Sequence, residues 1–155
     1  ASTCLVVDLD PNGPALPGVS TLAELVESGP RQADLGPAKE GIAMLANGGI
    51  NPSRAESVIR HLLDGWPRVV LRSEIDRDLF APVVPVCPLL PGWSPDDSSR
   101  FSVYQEAGFA VKRPGEGIVL PRPSSGTVGK LLNGALPAKS RWINSWRKVW
   151  AHSWQ

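Results

Sequence analysis

The chain has 155 residues, of which 42% are apolar, with 16 Pro, 15 Gly and a net charge of +1. That composition suits one folded domain with many turns and excludes the disordered class, and no apolar run approaches the length of a transmembrane helix. Two Cys and two His are too few for a disulfide framework or a His-based metal cluster, and no basic leader opens the chain, so the expected address is cytoplasmic.

The charge is divided along the chain. Residues 1–109 hold 8 Lys or Arg against 14 Asp or Glu, a net −6, whereas residues 110–155 hold 8 against the single Glu116, a net +7. A basic end of that kind suits an anionic partner or an acidic surface of the protein itself.

Cys4 to Val7 is a continuous apolar run that predicts a strand buried on both faces, and Asp8 and Asp10 follow at its carboxyl end before the turn Pro11-Asn12-Gly13. Thr21 and Glu24 have capping-box spacing, which predicts a short helix stopped at Gly29-Pro30. Residues 41–46 predict a second strand closed by Asn47-Gly48-Gly49. Asn51-Pro52 predicts the start of a helix carrying Ala55, Val58, Ile59 and Leu62 on one face and ending at Gly65, and residues 68–72 predict a third strand. Strand, helix, strand, helix, strand implies a largely parallel α/β sheet.

Regularity weakens in the second half. Residues 83–90 are apolar but broken by Pro85 and Pro88, which allows an edge strand or an extended segment. Residues 101–109 stay ambiguous, 117–120 predict a last short strand, and 127–133 predict a small helix with Ser125 or Thr127 as its cap. The expected division is one α/β domain over 1–136 and a separate C-terminal helix over 137–155. In that helix Trp142, Trp146, Trp150 and Trp154 recur every four residues, with Arg141, Arg147 and Lys148 on the other side. Such a helix either packs its rings on the protein's own sheet or lies in a membrane interface. A protein groove is the third option, and nucleic acid is disfavoured because cations are few.

Asp8 and Asp10 are the candidate catalytic residues. A strand ending in Asp-x-Asp serves metal and diphosphate binding in nucleotide-sugar glycosyltransferases, but only three residues precede Cys4. It also serves as nucleophile and general acid in dehalogenase-type phosphatases, which want Thr or Val where this chain has Asn12. Together, the segment Cys4 to Gly13, the first helix, the strand over 41–46, the next helix and the strand over 68–72 resemble the middle of a MinD/ParA-type ATPase, the group that includes septum-site-determining and TadZ/CpaE-like pilus-assembly proteins. The resemblance implies a P-loop NTPase-type sheet, incomplete here, with an irregular Pro-rich second half and a C-terminal amphipathic helix. In that family the first Asp assists magnesium and water. The glycine-rich phosphate loop should precede Asp8, and Arg72-Ser73-Glu74 stands where an acidic residue for magnesium is expected.

The resemblance therefore implies a non-catalytic binding or positioning module that docks through its C-terminal helix to a protein partner or an anionic membrane surface, at the inner face of the membrane. It leaves room for a homodimer, expects no cofactor, and admits ATP and magnesium only if a phosphate loop lies upstream. The alternative is a metal-dependent phosphate-handling enzyme using Asp8 and Asp10. The metal ligands are left unassigned. The stretch from Ser124 to Leu131 echoes a phosphate loop and makes Lys130 the candidate cofactor-binding residue, although Leu131 stands where magnesium would need Ser or Thr.

Overall fold

The computed structural model describes residues 3–13, 16, 18, 20–29, 41–74, 81–133 and 140–154. The chain is α/β, with parallel sheets and four α-helices among these residues. It divides into two compact units, Ala1–Phe80 and Ala81–Gln155.

The first unit contains β1 (Cys4–Asp8), β2 (Ser20–Thr21), α1 (Leu22–Ser28), β3 (Ile42–Ala46), α2 (Glu56–Gly65) and β4 (Val69–Arg72), with strand order β2-β3-β1-β4, all parallel. The capping box forms as the spacing predicts. Thr21 Oγ1 accepts from the Glu24 N–H at 3.2 Å and the Glu24 carboxylate accepts from the Thr21 N–H at 2.9 Å. Asn51 also caps, through the Ser53 N–H, but the chain first makes a 3-10 turn over Pro52–Ala55, so α2 begins four residues later than its cap suggests.

Leu22 and Leu25 of α1, Ala55 beside α2, and Ile59 and Leu62 of α2 join Leu5, Val7, Leu9, Ala43 and Leu45 in one buried cluster. Both helices thus cover the same face of the sheet. Each fully buried Leu or Ile contributes roughly 1.5–3 kcal/mol in this setting. The opposite face is less covered: Cys4 and Val6 are half-buried and Met44 is 40% exposed. The run of four apolar residues in β1 therefore marks a strand buried on one face and partly covered on the other, a correction to the expectation of two covered faces.

The second unit contains β5 (Val86–Leu89), β6 (Ser102–Glu106), β7 (Gly117–Leu120), α3 (Ser125–Leu132) and α4 (Arg141–Ala151). The three strands pair in chain order and in parallel, and partners recur 17 residues apart from β5 to β6 and 15 from β6 to β7 (Val86↔Val103, Ser102↔Gly117). Parallel neighbours ordinarily need a helical crossover. Here residues 90–101 and 107–116 return as irregular loops without a helix, giving a coil of strands stacked edge to edge. Pro88 is tolerated because, among the described residues, β5 pairs with β6 on one side alone and is an edge strand.

β6 is the strand the sequence left ambiguous, and it is the centre of this unit. Tyr104 faces Cys87, Leu89, Trp93 and Val111, so loop side chains cover that side of the sheet. Val103 faces the other way with Leu120, Ile118 and the α4 residues Val149, Trp142 and Trp146. Cys87 is 2% exposed; burial pushes its thiol pKa up, and a hydrogen bond with Ser102 partly offsets this. Cys4 is half-buried, and burial raises its thiol as well, against the lowering effect of Arg68. Because the thiolate is the reacting form, the native chain should show slow labelling by a thiol reagent at Cys4 alone. Cys4→Ser should abolish it, and Cys87 should label only when denaturant opens the second unit.

Candidate functional site

The carboxyl ends of β1, β3 and β4 bring Asp8, Asp10, Asn47 and Arg72 together, because Asp8 pairs in register with Arg72 and β3 lies on the other side of β1. That edge is where open α/β sheets bind ligands. Asp8 is 1% exposed. One of its oxygens accepts the Asp10 N–H at 3.1 Å, and the other lies 3.4 Å from Arg72 Nη1. Asp10 spends one oxygen on the Asn12 and Gly13 N–H groups, both at 2.9 Å, and places the other 3.3 Å from Arg72 Nη2.

A single guanidinium thus bridges both carboxylates. Its distances are long for hydrogen bonds, so the attraction is mainly coulombic. The close approach requires Gly13: a Cβ there would fall 1.9 Å from Arg72 Nη2. Asn47 completes the edge through its side-chain amide, which donates to the Asp8 carbonyl at 3.4 Å, while its main-chain carbonyl accepts the Ala23 N–H of α1. Gly48 follows at φ +75°, and a Cβ there would lie 2.7 Å from Thr21 Cβ, so the turn after β3 is fitted to the start of α1. Among the described residues no group of three or more His, Cys, Asp or Glu is placed to hold a metal. Chemically, the arrangement ties β1 to β4 and occupies the carboxylates with a fixed cation.

Comparison of the chain with protein-family models, with curated proteins and with solved structures finds no match.

Lys130 is exposed in α3. Ser124 caps that helix through the Thr127 N–H at 3.1 Å, in place of the expected Ser125 or Thr127, while the buried Thr127 hydroxyl meets the cap hydroxyl at 3.0 Å. A groove of about 990 Å³ runs along the carboxyl ends of β5 and β6 to the first turn of α3, lined by Gln105, Glu106, Arg122, Ser124 and Ser125, among others, and not by Lys130.

α4 is capped by Ser140, whose hydroxyl accepts the Ile143 N–H at 3.1 Å. Trp142, Trp146 and Trp154 pack partly buried against β7 and its neighbours, and Val149 is fully buried. The Trp142 indole donates to Gln105 Oε1 at 2.9 Å and the Trp154 indole to the Val149 carbonyl at 2.8 Å. Trp150 differs: it stacks on Trp146 at 6.0 Å between centroids yet remains 59% exposed. Arg141, Arg147 and Lys148 are exposed, and none forms an ion pair among the described residues. The four-residue Trp spacing thus separates into three rings used for packing and one facing solvent. Residues missed in the sequence include Arg72 as the partner of both carboxylates; a basic end on one strand beside an acidic end on its neighbour was the available signal.

Proposed function

We propose that the chain is a non-catalytic α/β binding module of MinD/ParA-like character, with a P-loop NTPase-type ancestry for its first sheet, that docks on an anionic membrane surface through the outward side of α4. The observation that carries this reading is the exposed Trp150 ring one helical turn from Arg147, on a helix that bears no acidic residue. An exposed aromatic ring with cations beside it suits the head-group region, where the ring buries its apolar body and cations meet lipid phosphates. The Arg72 bridge supports the non-catalytic part, since a metal or phosphate at Asp8 and Asp10 would compete with a guanidinium already in place.

The reading is tested by flotation with phosphatidylserine-containing vesicles. Trp150→Ala and Arg147→Glu should each weaken binding severalfold without loss of helical signal, and unchanged flotation of both variants would refute the docking surface. Deleting α4 is a poorer test because it would uncover Val103 and Leu120. A second reading, a metal-dependent phosphate-handling enzyme at Asp8 and Asp10, is favoured by one feature: Asn47 Oδ1 is buried, its amide nitrogen donates to the Asp8 carbonyl, and the oxygen has no hydrogen-bond partner among the described residues. Tight binding of a labelled ATP analogue in the presence of magnesium, lost in Asp8→Ala, would establish that reading instead.

A further inference from the structure

The flank of α4 away from Trp150 borders a second cleft. On a helix with 100° per residue, Val149, Trp142 and Trp146 point to the core, Trp150 and Ile143 lie on one flank, and Arg141, Asn144, Ser145 and Lys148 fall within a sector about 100° wide on the other. Those four residues form one wall of a groove of about 630 Å³ whose other wall is Glu106, Val119 and Pro121. That volume is within the range of small-ligand sites.

The charges are unevenly placed across this groove. Arg141 and Lys148 stand two turns apart on the helix wall, with neither forming an ion pair among the described residues, and Asn144 supplies an amide between them. Opposite, the Glu106 carboxylate accepts the Arg122 N–H at 3.3 Å and faces none of the cations within ion-pair distance. Val119, 38% exposed, gives that wall an apolar surface. Two cations on one side and one carboxylate on the other complement a small zwitterion better than a simple anion, because a bare dianion would gain the cations but meet Glu106 as a like charge.

We infer that this groove binds a phosphate ester carrying an ammonium group on a short linker, with the phosphate between Arg141 and Lys148 and the ammonium toward Glu106. The inference does not rest on the membrane-docking reading, since a soluble ligand of this chemistry would fill the groove by itself. The same group also occurs as a lipid head.

The test titrates the full chain with O-phosphoethanolamine and with inorganic phosphate, following affinity by calorimetry and the site by the amide resonances of α4. O-phosphoethanolamine should bind more tightly than phosphate and shift the Asn144 to Lys148 amides. Lys148→Ala, at an exposed position, should weaken it roughly tenfold, the scale of one charge-assisted hydrogen bond. Glu106→Gln keeps an acceptor for the Arg122 N–H and should erase the preference, leaving the two probes equal or phosphate ahead. A short-chain phosphatidylethanolamine below its micelle concentration distinguishes the source: tighter binding than the soluble ester assigns the lipid head, and equal or weaker binding assigns a soluble metabolite. No shift in α4 with either soluble probe, or a preference that survives Glu106→Gln, would overturn the inference. Vesicle flotation of Lys148→Ala alongside keeps a failure here separate from a failure of membrane docking.

Discussion

Arg72→Leu is expected to destabilise the first unit by about 3 kcal/mol, the lower end of what removing one partner from a buried ion pair costs. The lower end applies because the Arg72 side chain is 31% exposed and water can partly replace it, whereas the Asp8 side chain is 1% exposed and cannot be rehydrated without opening the sheet edge. Without the guanidinium, two neighbouring carboxylates would share that edge with, among the described residues, backbone N–H groups alone to balance them. Arg72→Lys should recover part of the loss and not all, since Nη1 and Nη2 reach different carboxylates and one ammonium cannot reproduce that fork. Urea unfolding of the full chain measures both. A loss below about 0.5 kcal/mol for Arg72→Leu, the scale of an ordinary surface change, would mean the carboxylates do not depend on Arg72 and would return them to consideration as a ligand site.

The largest effect in the second unit is expected at Gly117. A Cβ there would lie 1.8 Å from the Ser102 carbonyl oxygen and 2.9 Å from the Tyr104 ring. The oxygen is main chain of the paired strand β6, so it cannot rotate away as a side chain would. Gly117→Ala should cost about 3 kcal/mol or more, the upper range for forcing extra atoms into a packed site. β7 would separate from β6 and loosen the packing of Trp142, Trp146 and Val149 that depends on both strands. Near-ultraviolet dichroism should fall, and Cys87 should become accessible to thiol reagents without denaturant. Gly126→Ala is the matched control: no atom lies within 4 Å of a Cβ there, and in the first turn of α3 alanine should be neutral or slightly stabilising. Equal behaviour of the two variants would contradict the close β6–β7 pairing.

These two positions show what the sequence could and could not disclose. Strong local signals transferred well: the capping box at Thr21 and Glu24, the Asn51 cap and the stop at Gly65 depend on chemistry between near neighbours. The first sheet followed for the same reason, because alternating strand and helix patterns leave few arrangements. The second unit was harder to read because its parallel strands are joined by loops. Nothing in residues 90–101 or 107–116 signals a crossover, so β6 could not be recognised as a central strand until Val103 and Tyr104 were seen to face two different packing layers.

The candidate site was legible in its residues and not in their pairing. Asp8 and Asp10 lie at the expected strand end, but only the register of β1 against β4 places Arg72 beside them. Periodicity likewise found the face of α4 without apportioning it. Trp142 and Trp146 of α4 are spent on the core and Trp150 is left outside, while Trp154 reaches the same core from beyond the helix, which ends at Ala151 and so falls short of the expected span over 137–155.

Binding of the intact chain to phosphatidylserine-containing and to purely phosphatidylcholine vesicles, at low and high salt, tests the central claim most directly. The account predicts binding to the anionic vesicles at low salt, release as salt screens the α4 cations, and little binding to the neutral ones. Equal binding to both lipids, or none to either, would contradict it.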